Sequence, residues 1–338
     1  MAQKPPTIYQ IAELAGVSIG TVSRVMNGKD RVAPATRARV LAVAEKYDFR
    51  PNAAARGLAT NRTHALMMLV SDLANVYFAE MAKRISRHAR DAGLRTVLAD
   101  SDETPEREAE YLRALADGHV DGAVIAPLTT DANIPLYQAL IRRRFPLVLM
   151  DTELEGVDAS CVRTDNERGA ALAVDYLAEK GHARIGFVCG NIAFQTNRLR
   201  FQGFREALQR RGLPLANEHL VFNQDFLEAE GFCGVDSMLA PPNRPTAIFA
   251  STDLTAMGCV RTIRRAGLRV PDDIAVVGFD DLRISAHMEV PLTTIGQPKD
   301  EIAATAVELL AEQLDPDASP RGRKLVRITP VLVRRASA

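Results

Sequence analysis

Residues 11 to 27 read IAELAGVSIGTVSRVMN, and this stretch decides the fold of the N-terminal part of the chain. Just before it, Thr7 and Gln10 have the form of a capping box, which predicts that a helix begins after Thr7. Apolar residues then recur three and four positions apart until Gly16, which supplies a left-handed stop. Ser18 is placed to cap a second helix directly after this turn. The stretch therefore predicts two short helices joined by a tight turn.

The second predicted helix has two different faces. Val22, Val25 and Met26 share one face, whereas small and polar residues share the other. Pro34 and Thr36 open a third helix. The residues of that helix expected to close a small core are Val40, Val43, Ala44 and Tyr47. Two helices joined by a tight glycine-containing turn are typical of a helix-turn-helix, whose second helix enters the major groove of DNA. Spacing alone leaves an ordinary three-helix bundle open as the alternative.

Charge is divided unevenly along the sequence. The 338 residues carry 42 basic and 42 acidic side chains, so the formal net charge is zero. Residues 1–61 nevertheless carry a net charge of +5, and the remainder carries −5. This asymmetry favours a head that binds a polyanion and a body that does not.

From His64 onward, short apolar runs alternate with helical patterns. The runs predicted to be buried strands are residues 66–70, 95–99, 123–126, 147–150, 185–188, 247–250 and 274–277. Such alternation implies parallel sheets covered by helices on both faces. This part exceeds what one hydrophobic core usually holds, so we expect two α/β subdomains with a ligand cleft beyond the carboxyl ends of the strands. The expected domains are residues 1–51, a hinge and linker at 52–62, and residues 63–338.

Several motifs together resemble those of the lactose-repressor/galactose-repressor family. They are VSIGTVSRVMN at 17–27, GHARIGF at 181–187, RPTAIF at 244–249, VPDDIAVVGFDD at 270–281 and PLTTI at 291–295. The resemblance extends over nearly the whole chain. It implies an α-helical helix-turn-helix head with a hinge helix, followed by a bilobed α/β body like that of periplasmic sugar-binding proteins. It also implies a homodimeric transcription regulator, by family default a repressor, that binds double-stranded operator DNA and a small sugar-like effector.

The same resemblance assigns the residues that contact DNA. Ile19, Gly20 and Arg24 fall where the family reads bases. The residues that fall where the family holds phosphates are Thr21, Ser23 and Asn27, and further contacts are assigned to Ser18, Arg31, Asn52 and Ala55. Arg24 also has a direct chemical interpretation, because an arginine can bind guanine O6 and N7 bidentately. Gly20 departs from the longer polar residues that many relatives carry at this position.

The segment at residues 52–62 has two interpretations. Its composition is that of an alanine-rich linker, and a helix of this length with an internal glycine is not stable alone in water. The resemblance instead implies a hinge helix that forms in the minor groove, with Leu58 as the wedge that kinks the duplex.

The resemblance also assigns an effector site and three crossings of the chain between lobes, near Val162, Thr293 and Arg323. The expected effector residues are Tyr77, Phe78, Phe194, Arg200, Phe226, Asp253 and Asp280. Taken singly, each has a purely structural alternative, such as a helix cap, a solvated arginine or a core aromatic residue. Together, carboxylates and a guanidinium can bind paired hydroxyl groups, and aromatic faces can cover a sugar ring. Phe194 disfavours a charged effector such as a phosphorylated sugar.

Two other classes of protein are alternatives to a DNA-binding regulator. An α/β enzyme is the stronger alternative, but the sequence has no G-x-G-x-x-G, phosphate-binding loop, H-E-x-x-H or nucleophile elbow. The six histidines are scattered, so neither a metal nor a cofactor is predicted. A secreted solute receptor would need an export signal, which the N-terminus MAQKPP lacks. We therefore predict a cytoplasmic regulator that is not an enzyme, with its four cysteines reduced.

Overall fold

The structure is a computed structural model that describes residues 6–26, 32–49, 62–222, 235–240, 242–315, 317 and 322–338. The chain divides into two compact units, Met1–His64 and Ala65–Ala338. Of the predicted hinge and linker, residues 52–62, only residue 62 is among the described residues.

The N-terminal unit contains the predicted helices α1 (Ile8–Ala15), α2 (Ile19–Met26) and α3 (Pro34–Lys46). The capping box is formed, since the N–H of Thr7 donates to Oε1 of Gln10 over 2.8 Å. Gly16 ends α1 at φ 63°, a left-handed conformation that glycine adopts without strain. The buried core of the unit is Ile11, Ala12, Ala15, Val22, Val25 and Val40.

The end of α3 differs from the expectation in one residue. Tyr47 was expected in the core, but it is 41% exposed. The helix ends at Lys46, and Asp48 turns the chain back with a φ of 45°. The N–H of Phe49 then donates to the carbonyl of Ala44 over 2.8 Å, and Phe49 packs against the core instead. An aromatic side chain just beyond the helix thus replaces the predicted one.

The second unit begins with a lobe built on a parallel sheet. Its strands are β1 (Ala65–Val70), β2 (Arg95–Asp100), β3 (Gly122–Ile125), β4 (Leu147–Met150), β5 (Ser160–Thr164) and β11 (Leu325–Ile328), in the order β11-β5-β4-β3-β1-β2. The helices of this lobe are α4 (Val76–Asp91), α5 (Pro105–Leu115), α6 (Ile134–Arg142) and α11 (Lys299–Leu314). Alternate residues of β1 enter two different cores, which lie on opposite faces of the sheet.

The other lobe has the same layered plan. Its strands are β6 (Ile185–Cys189), β7 (Leu220–Phe222), β8 (Ala247–Ala250), β9 (Ala275–Asp280), β10 (Thr293–Gly296) and β12 (Val331–Val333), in the order β12-β10-β9-β8-β6-β7. These strands pair in parallel except β12, which is antiparallel to β10. The helices are α7 (Asn166–Glu179), α8 (Gln195–Arg210), α9 (Val235–Met238) and α10 (Asp253–Arg265).

The chain crosses between the lobes after β5, after β10 and after β11. The expected positions near Val162 and Thr293 lie within β5 and β10. Val162 pairs with both neighbouring strands, and Thr293 pairs with Val277. A residue in such a ladder has its backbone groups committed to the sheet, so the chain can leave only after the last paired residue. Arg323 likewise comes before β11.

Candidate DNA-binding face and effector cavity

The helix α2 presents its predicted outer face to solvent within the N-terminal unit. Ile19 is 41% exposed, and Gly20 and Arg24 are also exposed. Val22 and Val25 lie on the opposite face and are buried. The helical period therefore leaves the residues that resemble base readers free to contact another molecule.

Two of the predicted DNA-contact residues, Ser18 and Thr21, bond to each other at the start of α2. The hydroxyl of Ser18 accepts a hydrogen bond from the N–H of Thr21 over 3.2 Å, and the two hydroxyls lie 2.9 Å apart. Thr21 and Ser23 are half-buried. The N-terminus of a helix attracts anions because its N–H groups and its dipole point towards the ligand. This end of α2 is thus suited to a phosphate.

The fold does not require a glycine at position 20. A Cβ atom built on Gly20 would have the hydroxyl of Ser18, at 3.8 Å, as its nearest neighbour. That distance is an ordinary van der Waals contact. The departure from the longer residues of many relatives therefore removes a side chain from the exposed face without relieving any crowding.

Six predicted site residues lie outside the described residues. They are Asn27, Arg31, Asn52, Ala55 and Leu58 among the DNA contacts, and Phe226 among the effector contacts.

A cavity of about 400 Å³ lies between the two lobes of the second unit. Tyr77 and Phe78 line it from α4 of the first lobe. Phe194, Arg200 and Asp280 line it from the second lobe. The structure thus brings five predicted effector residues to one cavity, although they are far apart in sequence.

Arg200 lies in the cavity wall but is partly committed to the protein. Its side chain is 4% exposed. Its Nε donates to Oδ1 of Asn166 over 2.8 Å, and its Nη1 donates to the carbonyl of Ser251 over 2.6 Å. The guanidinium also stacks on the ring of Phe279 at 3.7 Å from the centroid. Two of its five N–H groups are therefore used to hold the lobe together.

Asp280 lies at the end of β9, where the backbone has an unusual φ of 115°. Its Oδ1 accepts a hydrogen bond from Nε2 of Gln297 over 2.7 Å and lies 3.7 Å from Nη1 of Arg200. Burial raises the pKa of Asp280 to about 7, because Arg200 offsets only part of the cost of removing the carboxylate from water. Gln297 also accepts from the hydroxyl of Tyr77 over 3.2 Å, so it connects the two lobes.

Asp253 is the predicted effector residue that the structure does not place on the cavity. It is fully buried at the start of α10, and its carboxylate is occupied from within the lobe. Its Oδ2 accepts from the N–H of Leu282 over 2.7 Å and from the hydroxyl of Ser285 over 2.6 Å. Thr294 donates to the other oxygen. Asp253 thus joins three segments of the second lobe, which matches the structural alternative for this residue.

Sequence reasoning missed Asp151, which lines the cavity directly after β4. Its φ is 70°. Burial raises its pKa, although Arg200 and Arg163 act in the opposite direction. The rule that singled out Asp280, an acidic residue just after a buried strand, would also have found Asp151. Other lining residues that were not predicted include Asn197, Thr252 and Gln297.

The described wall of the cavity is rich in carboxylates. They belong to Asp72, Asp102, Glu103, Asp151 and Asp280. The cation in the described wall is Arg200, which is bonded in part within its own lobe. Burial, together with the neighbouring charges of Asp72 and Asp102, raises the pKa of Glu103. The cavity is therefore unfavourable for an anion and well supplied with hydrogen-bond acceptors.

The described ranges of the chain show no candidate metal site and no candidate membrane span. No cluster of three or more His, Cys, Asp or Glu side chains there is arranged to hold a metal ion. None of the described helices combines the length and apolar character needed to cross a membrane.

Similarity to known proteins covers both units. Residues 7–52 match the family model described as bacterial regulatory proteins, lacI family, and residues 174–338 match a periplasmic binding protein-like domain. The ribose operon repressor of Escherichia coli strain K12 is 35% identical over 334 residues, or 98% of this chain and 99% of the repressor. The HTH-type transcriptional repressor PurR of Photobacterium profundum is 34% identical over 332 residues, or 98% of each chain.

Solved structures show the same similarity. The lac repressor dimer bound to operator and the anti-inducer ONPF has a TM-score of 0.87 and 29% identity, covering 99% of each chain. A complex of the transcriptional regulator CelR with cellobiose has a TM-score of 0.73 and 29% identity, covering 98% of this chain and 100% of that chain.

A helix-turn-helix with an exposed second helix, in one chain with a two-lobed α/β body and a ligand-sized cavity, defines a transcription regulator that responds to a small molecule. The extent of the similarity gives the family as well. This chain belongs to the LacI family of bacterial regulatory proteins.

Proposed function

We propose that this protein is a cytoplasmic repressor whose affinity for operator DNA is controlled by a small molecule bound between its lobes. The observation that carries the proposal is the acceptor-rich cavity in a chain that also carries an exposed recognition helix. The similar proteins named as repressors support repression. Allosteric control then requires only that the small molecule bind the two conformations of the body with different affinity.

The effector is a small, uncharged, polyhydroxylated compound. The carboxylates of Asp151 and Asp280 can accept hydrogen bonds from its hydroxyl groups, and Phe78 and Phe194 can cover its apolar faces. Tyr77 is hydrogen-bonded to Gln297, and Arg200 is bonded in part within its own lobe, so both help to fix the shape of the cavity. An anionic effector is disfavoured because five carboxylates share the described wall with the guanidinium of Arg200, which is bonded in part within its own lobe. We leave Asp253 out of the effector site, and Phe226 stays a prediction.

The DNA contacts are proposed on the exposed face of α2. Ile19, Gly20 and Arg24 face the bases, whereas Ser18, Thr21 and Ser23 hold phosphates near the start of the helix. The division into residues 1–51, 52–62 and 63–338 remains part of this proposal. So do the contacts of Asn27, Arg31, Asn52 and Ala55 and the wedge at Leu58.

The protein is proposed to act as a homodimer through its first lobe. The strand β2 lies at one edge of the first sheet, and it exposes Val97 and Leu98 by 44% and 49%. An exposed apolar edge strand is a liability in a monomer, and pairing with a second copy would cover it. The structural similarity to the lac repressor dimer agrees with this arrangement.

A thermal-shift panel on the full-length protein tests the effector proposal. The panel contains pentoses, hexoses, polyols and nucleosides, each beside its phosphorylated form. We expect at least one uncharged compound to raise Tm and its phosphate ester to have no effect, because a ligand that binds only the folded state stabilises it. Stabilisation by the phosphate esters alone would contradict the proposed chemistry.

A further inference from the structure

Gln195 joins the two lobes beside the cavity. Gln195 is the first residue of α8 and stands between Phe194 and Thr196, which both line the cavity, but it is not itself part of the wall. Its Oε1 accepts from the N–H of Glu153, and its Nε2 donates to the carbonyl of Glu153, over 3.0 and 2.9 Å. One side chain thus makes a paired amide contact with the backbone of the opposite lobe.

A second cross-lobe bond lies beside this pair. The backbone N–H of Gln195 donates to the hydroxyl of Thr129 over 3.3 Å. Glu153 is itself held within the first lobe by an ion pair with Arg323. The first lobe therefore offers a fixed docking point, and α8 of the second lobe is joined to it at its first turn.

A different set of bonds joins the lobes near the crossing that precedes α11. Lys299 is 6% exposed, and its Nζ donates to the carbonyls of Asp280 and Asp281 over 3.0 and 2.7 Å. It also lies 2.9 Å from Oε2 of Glu80, whose Oε1 accepts from the N–H of Arg283 over 3.0 Å. Burial alone would raise the pKa of Glu80, but its hydrogen bonds and the charges of Lys299 and Arg84 together lower it, so the Glu80 carboxylate is charged at neutral pH.

The chemistry of the two sets of bonds differs in strength. If the lobes separated here, the Lys299–Glu80 ion pair would stay within the first lobe, but Lys299 would lose both carbonyl acceptors of the second lobe. Glu80 would lose the N–H of Arg283, and hydrogen bonds to buried charged groups are costly to break. The Gln195 bonds are neutral and half-exposed, and water can replace them at little cost. The lobes can therefore open at Gln195 while the set beside the crossing stays intact.

We propose that Gln195 is a clasp that holds the cleft closed, and that the lobes open at this residue about the Lys299–Glu80 side. Gln195 acts through the position of Phe194 and Thr196 and is a positioning residue rather than an effector contact. This inference rests on the proposed function, since the cleft that Gln195 closes is the proposed effector cavity. Its test needs no effector, so its failure would leave the proposed function standing.

The test is the distance between the lobes, measured by double electron–electron resonance on the full-length protein without ligand. Spin labels are placed at exposed positions of the two lobes, Ala132 and Gln209. Cys161, Cys189 and Cys259 are buried, and burial raises the pKa of each thiol to about 12, so they resist labelling. Cys233 is replaced by serine. Labelled protein is diluted with unlabelled chain so that one distance dominates in a dimer.

The decisive variant is Gln195→Ala, and its matched control is Gln202→Ala. Gln202 lies on the same helix, but its Nε2 bonds to Glu206 within that helix. Removing two neutral hydrogen bonds should raise the ratio of open to closed molecules about tenfold. We expect a single short distance in the parent and the control, and a second, longer distance in Gln195→Ala. A Gln195→Ala distribution that superimposes on the parent would overturn the proposal, as would a parent that is already open.

Discussion

The outer face of α2 and the wall of the cavity are the two surfaces through which this protein is proposed to act, and they are built in opposite ways. On α2, Arg24 projects from a helix whose stability comes from its buried face. In the cavity, Arg200 and Asp280 lie 3.7 Å apart, and each is also hydrogen-bonded to neighbouring residues that hold it in place. Function and stability are therefore separable on the first surface and coupled on the second.

The largest effect is expected for Asp253→Ala, next to the cavity. This change leaves three buried donors without an acceptor, on Leu282, Ser285 and Thr294. Each unsatisfied group costs about 1–3 kcal/mol, so the free energy of unfolding should fall by about 4 kcal/mol. Urea unfolding followed by circular dichroism measures it, since the chain has no tryptophan.

The matched control is Asp272→Ala, because Asp272 forms an exposed ion pair with Arg269. A surface change of this kind should stay within about 0.5 kcal/mol. If Asp253→Ala were equally harmless, the carboxylate would not be structural, and its assignment to the effector site would return.

A smaller effect, dependent on pH, is expected for Asp280→Asn. The folded-state pKa of Asp280 is raised to about 7, so the folded protein holds this proton more tightly than the unfolded chain does. The contribution of Asp280 to stability is therefore fully present below about pH 4 and is lost as the pH rises through about 7. Unfolding at a series of pH values should show a smaller decline for the variant than for the parent. Parallel curves would show that Asp280 titrates normally.

Arg24→Ala should change DNA recognition without changing stability. Loss of a bidentate base contact should reduce discrimination between the preferred operator and its single-base variants by about 1–3 kcal/mol. The control Arg39→Ala removes the same charge from an exposed position on α3 and should weaken all sequences alike. Competition binding against a set of operator variants distinguishes them. Equal losses on every sequence would place Arg24 on a phosphate.

The smallest effect is expected for Gly20→Ala. There is room for the methyl group, and alanine favours a helix over glycine by about 1 kcal/mol. Hydrogen exchange of the α2 amides in the full chain should therefore slow about fivefold. Faster exchange would mean that this position tolerates no side chain.

The same contrast explains how far the sequence could be interpreted. The exposure of Ile19 and Arg24 followed from helical periodicity, which is local information. The structural position of Asp253 and the cavity position of Asp280 did not follow from local information, although each residue lies next to a buried strand. They depend on partners far along the chain, such as Thr294 and Gln297, which only the fold brings into contact.

The first lobe shows the same limit. Asp151 stands directly after β4, where the strand-end rule applies, but no motif marked it. The short strands β5, β7 and β10–β12 were also not predicted. The equally short β3, β4 and β8 are continuous apolar runs, whereas β5, β10 and β11 are interrupted by polar residues and β7 and β12 have three residues each, so no apolar run of sufficient length marks them.

The most direct test of the central claim is operator affinity, measured by fluorescence anisotropy with and without the compound that raises Tm in the panel. The operator is first selected from random DNA with the full-length protein. We expect the compound to change the operator Kd at least tenfold in the parent, since coupling free energies are typically about 1–3 kcal/mol, and to change it little in Asp151→Asn. A compound that stabilises the protein but leaves the operator Kd unchanged would contradict the account.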